Sequence, residues 1–232
     1  MADQDAYYHA CKADLLRTLN DPSLVQAARD LVAPLDVRRV LDVGCGIGQA
    51  LFPLAVSKQA LGVGVDVSAS GLRLGHQVYT THLPTARLEF CRAKAESLPF
   101  APNGFDVVHC GLALPYTDNA RSLAEVARVL RPGGVFILKI HHTYYYLRQL
   151  WQGLRHRNLS SVLHAGRVLV TGTLYHLTRR QPQSRLLNES FQTRWLLGRE
   201  LAKHGLFIDR EHRQSNPRTP VFVIYKRAAP NV

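Results

Sequence analysis

The stretch Val40-Leu41-Asp42-Val43-Gly44-Cys45-Gly46-Ile47-Gly48 decides the fold. With Arg39, its first four residues read as a short buried strand. Glycines at alternate positions then make a loop in which the backbone turns tightly and a ligand can approach it. Leu51, Leu54 and Ala55 continue as a helix. The same rhythm recurs downstream. Residues 61–66 read as a second strand, followed by Ser68 as the cap of a helix bearing Leu72 and Val78. Residues 88–92 and 105–110 read as a third and a fourth strand. A helix carrying Leu123, Val126 and Leu130 stops at Arg131-Pro132-Gly133-Gly134, a strong breaker, before a fifth strand over 135–140. Strands alternating with helices imply right-handed crossovers and a mainly parallel sheet covered on both faces, and the near-continuous Val/Ile/Leu strands agree.

Two helices precede this unit: a stripe of Tyr8, Cys11, Leu15 and Leu19, and a start at Asp21-Pro22 followed by Leu24, Ala27, Ala28 and Leu31. After His142 the alternation breaks, and residues 143–190 carry aromatics, arginines and mixed apolar residues. Regularity returns with Trp195, Leu196, Leu197 and Leu201, a helix stopping at Gly205. Two strands, 206–208 and 221–225, flank a polar loop with Pro217 and Pro220 and read as an antiparallel hairpin at a sheet edge. The 232 residues fit one domain, 1–232, comprising N-terminal helices (1–35), a core (36–142), a lid insert (143–190) and a final helix and hairpin (191–232).

At 46% hydrophobic and 20% charged the chain can build a core. It has no apolar run long enough to span a membrane. Asp3, Asp5, Lys12, Asp14 and Arg17 make the first twenty residues unlike a signal peptide. Cys11, Cys45, Cys91 and Cys110 show neither CxxC spacing nor a disulfide framework, so free thiols and a cytoplasmic location are expected. The net charge of +12 is unevenly placed: residues 1–140 hold 14 Lys/Arg against 13 Asp/Glu, and residues 141–232 hold 15 against 4. A basic excess of that kind fits nucleic acid, anionic lipid, an acidic small molecule or simply a solvated face.

Open parallel sheets bind ligands at the carboxyl ends of their strands, which makes the glycine loop the expected binding place. A dinucleotide fingerprint, G-x-G-x-x-G/A, matches imperfectly, because Gln49 stands at the third position and Gly48 falls one place early. Asp42 discriminates further. A carboxylate beside a pyrophosphate is repelled, whereas beside the amino group or sulfonium of S-adenosylmethionine it is attracted. Asp66, ending the second strand, can accept both ribose hydroxyls of either cofactor.

These residues resemble a known family. The stretch 40–48 looks like the first motif of class I S-adenosylmethionine-dependent methyltransferases. Val63-Gly64-Val65-Asp66-Val67-Ser68 resembles their second-strand acidic motif. Ala95-Glu96-Ser97-Leu98-Pro99-Phe100 with Phe105-Asp106-Val107-Val108, and the turn Arg128–Gly134, resemble their third-to-fifth-strand region. Among their groups, the small-molecule enzymes, including the quinone C-methyltransferase-like ones, are the most similar. The resemblance implies an α/β, Rossmann-like seven-stranded, mainly parallel sheet with an antiparallel C-terminal hairpin and a helical lid insert. It implies S-adenosylmethionine as cofactor, with Asp42, Gly44, Cys45 and Gly46 toward the methionine end, Gln49 also in the cofactor site, Asp66 on the ribose, Val67 on the adenine, Ala95 and Glu96 at the adenine edge, Cys110 and Gly111 beneath the cofactor and Leu112 near the sulfur. Lys94, a donor only, stands where relatives often carry an aspartate that accepts from the adenine amino group. Pro115-Tyr116 stands where many carry paired histidines.

His141, Tyr116 and Tyr144 are the catalytic candidates, since they fall near strand ends facing the cofactor and histidine titrates near neutrality. His109, within the fourth strand, reads as a packed core histidine. No metal-ligand spacing occurs. The 143–190 insert holds seven arginines, Arg185 among them, and one acid, Glu189. Arginines amid apolar residues suit a small anionic or amphiphilic acceptor and transient contact with an anionic membrane. The main expectation is a methyltransferase on such a small molecule, without stable nucleic-acid binding. The rivals are an RNA or nucleotide methyltransferase, a non-catalytic S-adenosylmethionine-binding accessory protein and, more distantly, an NAD enzyme.

Overall fold

A computed structural model describes residues 2–33, 35–181, 189–212 and 218–228. Arg185 and Pro217 lie outside them. Two helices, α1 (Ala2–Leu19) and α2 (Pro22–Leu31), lead into β1 (Arg39–Val43), α3 (Leu51–Val56), β2 (Leu61–Asp66), α4 (Ala69–His82), β3 (Leu88–Arg92) and β4 (Phe105–Gly111). A 3-10 turn, Leu114–Tyr116, precedes α5 (Asn119–Val129) and β5 (Leu130–Lys139). Helices α6 (Thr143–Arg155), α7 (Leu159–Thr178) and α8 (Arg194–Ala202) follow, then β6 (Leu206–Glu211) and β7 (Val221–Lys226).

The sheet has seven strands in the order β3-β2-β1-β4-β5-β7-β6. The first five run parallel, and β7 is antiparallel to both β5 and β6. The expected hairpin therefore inserts its second strand beside β5 and leaves β6 at the edge. Alternation along each strand sorts side chains onto two faces. Leu41, Val43, Phe136 and Leu138 pack with Leu123, Val126, Leu197 and Leu201 of α5 and α8. Val40, Val107, Val135 and Ile137 pack with Ala28, Leu51 and Leu54 of α2 and α3. Chain order reverses between β1 and β4, which opens the crevice at their carboxyl ends.

The helix starts follow their caps. Asp21 accepts from the Ser23 N–H at 2.9 Å and Ser68 from the Gly71 N–H at 3.2 Å. At the expected breaker the backbone does something more specific. Leu130 already pairs with Phe105, and the ladder resumes only at Val135 opposite Val107, so residues 131–134 bulge out of the sheet. Gly133, at φ +73°, supports the bulge, and the Arg131 guanidinium holds Asp106 across it. The insert forms an antiparallel helical hairpin, with Gly153 of α6 against Val162 of α7.

Candidate functional site

The glycine loop is drawn onto β2. Gly44 and Cys45 donate to the Val65 carbonyl at 2.7 and 3.0 Å, and Gly44, Gly46 and Gly48 take φ of +72°, +57° and +90°. Only glycine adopts such angles without strain. At Gly44 proximity adds to the demand, because a Cβ there would stand 2.2 Å from the Ala113 Cβ. The loop after β1 thus presses its bare Gly44 backbone against the Ala113 methyl group of the loop after β4. Leu112, beside that contact, is held at φ +64° while its N–H donates to the Lys139 carbonyl at 2.8 Å. A non-glycine residue in that region is strained, and such strain concentrates at functional sites.

Asp66 is the organising carboxylate. Its two oxygens accept from the Gly46 and Ser68 N–H groups at 2.9 and 2.8 Å. Each oxygen keeps acceptor capacity for another donor. A cavity of about 280 Å³ opens beside it, lined by Gly44, Val65, Asp66, Val67, Ala93, Lys94, Ala95, Glu96, Ala113, Tyr116 and Thr117. Six sequence-derived candidates meet there: Gly44, Asp66, Val67, Ala95, Glu96 and Tyr116. Ala93, Ala113 and Thr117 were not expected. They come from the turns after β3 and β4, where small residues carry little pattern. Glu96 accepts from the Asp118 N–H at 2.9 Å, which ties this rim to the start of α5.

Asp42 does not line that cavity. It is 1% exposed, and its carboxylate faces His109 Nδ1 at 2.7 Å. With Nδ1 carrying the proton, His109 donates and the carboxylate accepts. Asp42 is therefore held in a buried pair, and His109 has a polar partner rather than purely apolar packing. Cys45 and Cys110 are buried as well. Burial first, and then the Asp42 charge, pushes both thiols up, Cys110 to about 12, so neither is a thiolate nucleophile at neutral pH. Gly46, Gln49, Gly111 and Leu112 border the loops without lining the cavity. Among the described residues no group of three or more His, Cys, Asp or Glu could hold a metal ion.

On the lid side, Tyr146 is fully buried and donates to Glu189 at 2.7 Å, and His164 stands 3.5 Å from the other Glu189 oxygen. Burial first, with Glu189 second, raises the Tyr146 phenol, so it stays protonated. His141 stacks on Tyr145 at 4.2 Å and meets Tyr146 edge-on at 5.8 Å. Among the described residues its buried Nδ1 has no partner, and burial lowers its pKa, which keeps the ring neutral and able to accept a proton. Tyr144 is elsewhere. It is 53% exposed on the outer side of α6, because two residues along a helix turn a side chain by about 200° from inward-facing Tyr146. Sequence reasoning missed the Tyr146–Glu189 pair. The one signal was that Glu189 is the sole acid of an arginine-rich insert.

These residues fit S-adenosylmethionine at the ribose and adenine: Asp66 presents free acceptor capacity to diol hydroxyls, and the 93–96 rim and Val67 flank a slot beside it. The glycine backbone and Ala113 bound the other end.

Comparisons with known proteins agree with this geometry. Residues 40–134 match the family model of a methyltransferase domain. A demethylmenaquinone methyltransferase of Lactiplantibacillus plantarum is 41% identical over 97 residues, which is 40% of this chain and 41% of that protein. A ubiquinone/menaquinone biosynthesis C-methyltransferase of Francisella philomiragia is 33% identical over 132 residues, 54% of this chain and 53% of that one. An O-methyltransferase of Aspergillus nomiae is 35% identical over 97 residues, 41% of this chain and 43% of the other. The chain thus matches about half or less of these relatives' length. Among solved structures, an S-adenosylmethionine-dependent methyltransferase of Methanosarcina mazei superposes with TM-score 0.59 at 22% identity, covering 84% of this chain and 95% of that one. A geranyl diphosphate methyltransferase in complex with S-adenosylmethionine gives 0.61 at 13% identity, covering 88% and 84%. The domain over residues 40–134 therefore belongs to the class I S-adenosylmethionine-dependent methyltransferases, with quinone C-methyltransferases and O-methyltransferases among its relatives.

Proposed function

We propose that the chain transfers a methyl group from S-adenosylmethionine to a small anionic or amphiphilic metabolite by in-line displacement. The observation that carries this reading is the single cavity wall running from Asp66 and Glu96, on the cofactor side, to Tyr116 and Thr117 beneath the lid. When bound, the sulfonium supplies an electrophilic methyl group. The protein's part is alignment, which is worth about 7–11 kcal/mol when nucleophile and methyl carbon are held in line. Asp66 and the glycine loop fix one end. Neutral His141 takes a proton from the acceptor where the acceptor needs a base, a contribution of roughly 10²–10⁴-fold. Tyr146, its hydroxyl donating to Glu189, packs edge-on against His141 and holds that ring in place. The names of two relatives support an amphiphilic acceptor, since one is a demethylmenaquinone methyltransferase and the other a geranyl diphosphate methyltransferase. Four free thiols fit a cytoplasmic location.

Labelled-methyl transfer to host metabolite extract, with mass identification of the product, tests the proposal. A labelled acid or amphiphile is the expected result. Tight S-adenosylmethionine binding with no transfer would favour the accessory-protein reading, to which Lys94 on the cavity wall lends some support.

A further inference from the structure

We infer that the tip of the α6–α7 hairpin is a docking surface for an anionic lipid bilayer. Four large apolar side chains crowd that tip and face solvent: Trp151 at 58% exposure, Leu154 at 62%, Leu159 at 67% and Leu163 at 63%. The pattern continues along α7 through Val170, Leu174 and Leu177, all exposed. At 100° per residue the exposed apolar positions of α7 fall within about 60° of one another, a single stripe. The opposite side of α7 holds its buried residues, Ala165, Val168, Thr171, Gly172 and Tyr175. A contiguous apolar surface outside the core marks an interaction site.

Charge identifies the occupant. Residues 143–180 contain six arginines and no Asp or Glu. Arg155 and Arg157 sit at the tip, Arg155 with its guanidinium 5.3 Å above the Trp151 ring. Leucines that enter the acyl boundary, a tryptophan at headgroup level and arginines against phosphates are the arrangement of an interfacial helix pair. No helix of the described residues is long and apolar enough to cross a membrane, so the hairpin lies on the bilayer rather than spanning it. A second copy of the chain would bring this acid-free surface against itself, arginine to arginine. RNA would engage the arginines but has no use for exposed leucine and valine, which cannot stack on bases as aromatics do. This inference stands on the surface alone and survives whatever the methyl acceptor proves to be.

The test is co-sedimentation of the full chain with vesicles of phosphatidylcholine alone and of phosphatidylcholine with about one third phosphatidylglycerol. The chain should partition onto the anionic vesicles only. Arg155→Gln/Arg157→Gln should weaken partition by about twenty-five-fold, at about fivefold per cation near the surface. Leu159→Gln/Leu163→Gln, two exposed positions whose change spares the core, should weaken it by about thirtyfold or more. In a Trp195→Phe background, Trp151 emission should shift to the blue on anionic vesicles. A thermal midpoint and S-adenosylmethionine affinity equal to the parent's would show that the variants fold. Equal binding to neutral vesicles overturns the proposal, as does a leucine variant that binds like the parent while mixed RNA displaces both. A vesicle-independent dimer that the leucine variant dissociates also overturns it.

Discussion

Gly44→Ala tests whether the close approach of the two loops, rather than glycine's conformational freedom alone, builds the site. Two costs apply. The residue sits at φ +72°, where a side chain adds about 1 kcal/mol of strain. The new methyl group would also stand 2.2 Å from the Ala113 Cβ. Ordinary contact needs more than an ångström beyond that, so one loop must move, and overpacking of this kind costs about 1–3 kcal/mol. The total is about 2–4 kcal/mol, or a midpoint lowered by about 4–16 °C in a chain of this size. Gly133→Ala is the control. Its φ is +73°, but none of the described residues lies within 4 Å of a Cβ there, so it should lose only the strain, about 1 kcal/mol. Ala113→Gly should then rescue Gly44→Ala, because the next atom, the Ala113 Cα, is 3.7 Å away. The measurement is urea unfolding of the parent, the three single variants and the Gly44→Ala/Ala113→Gly double variant, with calorimetric S-adenosylmethionine binding alongside. A coupling energy of about 1–3 kcal/mol between positions 44 and 113 is expected, together with loss of cofactor affinity in Gly44→Ala that the double variant recovers. Equal destabilisation by Gly44→Ala and Gly133→Ala, or zero coupling, would refute the reasoning.

Three further outcomes are expected. Asp66→Ala strands the Gly46 and Ser68 N–H groups and removes the diol acceptor, so cofactor affinity should fall by about 10²-fold or more in calorimetry, at about 1.5–3 kcal/mol per charged hydrogen bond. Tyr146→Phe leaves Glu189 without its 2.7 Å donor and should cost about 1–3 kcal/mol in denaturant unfolding, with a larger loss in methyl transfer than in cofactor binding. His141 has a folded pKa below 6.5, so the unfolded chain takes up its proton first as pH falls. Its contribution is present above pH 6.5 and is lost below it, and His141→Gln should flatten that part of the stability profile. If His141 is the base, the acidic limb of methyl transfer should also lie below pH 6.5, and a limb at or above neutrality would exclude it.

The core of this fold was legible because its signals are local. Strands of Val, Leu and Ile ending in Asp42 and Asp66, with glycines between, have short-range periods and breakers. Their ends fell at the expected residues for β1, β2 and β3. The insert was not legible in the same way. On α6 and α7 apolar side chains point both inward, as Tyr146 and Val168 do, and outward, as Leu159 and Leu177 do, which erases any single-faced period. Gly172 belongs to the same class of hidden constraint. A Cβ there would lie 2.1 Å from the Phe191 ring, a contact between residues nineteen positions apart that neither position announces.

Asp42 shows how pattern and chemistry can part. Its position after a buried strand and before the glycines is what a cofactor-facing carboxylate requires, and electrostatics alone directs it toward a cation. What the sequence order does not carry is lateral pairing. In the sheet Asp42 stands opposite His109 on β4, and that register brings Nδ1 within 2.7 Å. A carboxylate at 1% exposure needs a donor, and the neighbouring strand supplies it before any ligand can. Its influence on the cofactor then depends on how the pair holds the carboxylate. The His109→Asn variant, offering a neutral donor of shorter reach, separates this from the direct-contact reading. If Asp42 touches the cofactor, His109→Asn should leave binding near the parent value. If Asp42 acts through the pair, cofactor affinity should fall by about tenfold or more in His109→Asn, because the carboxylate loses the donor that holds it at 2.7 Å.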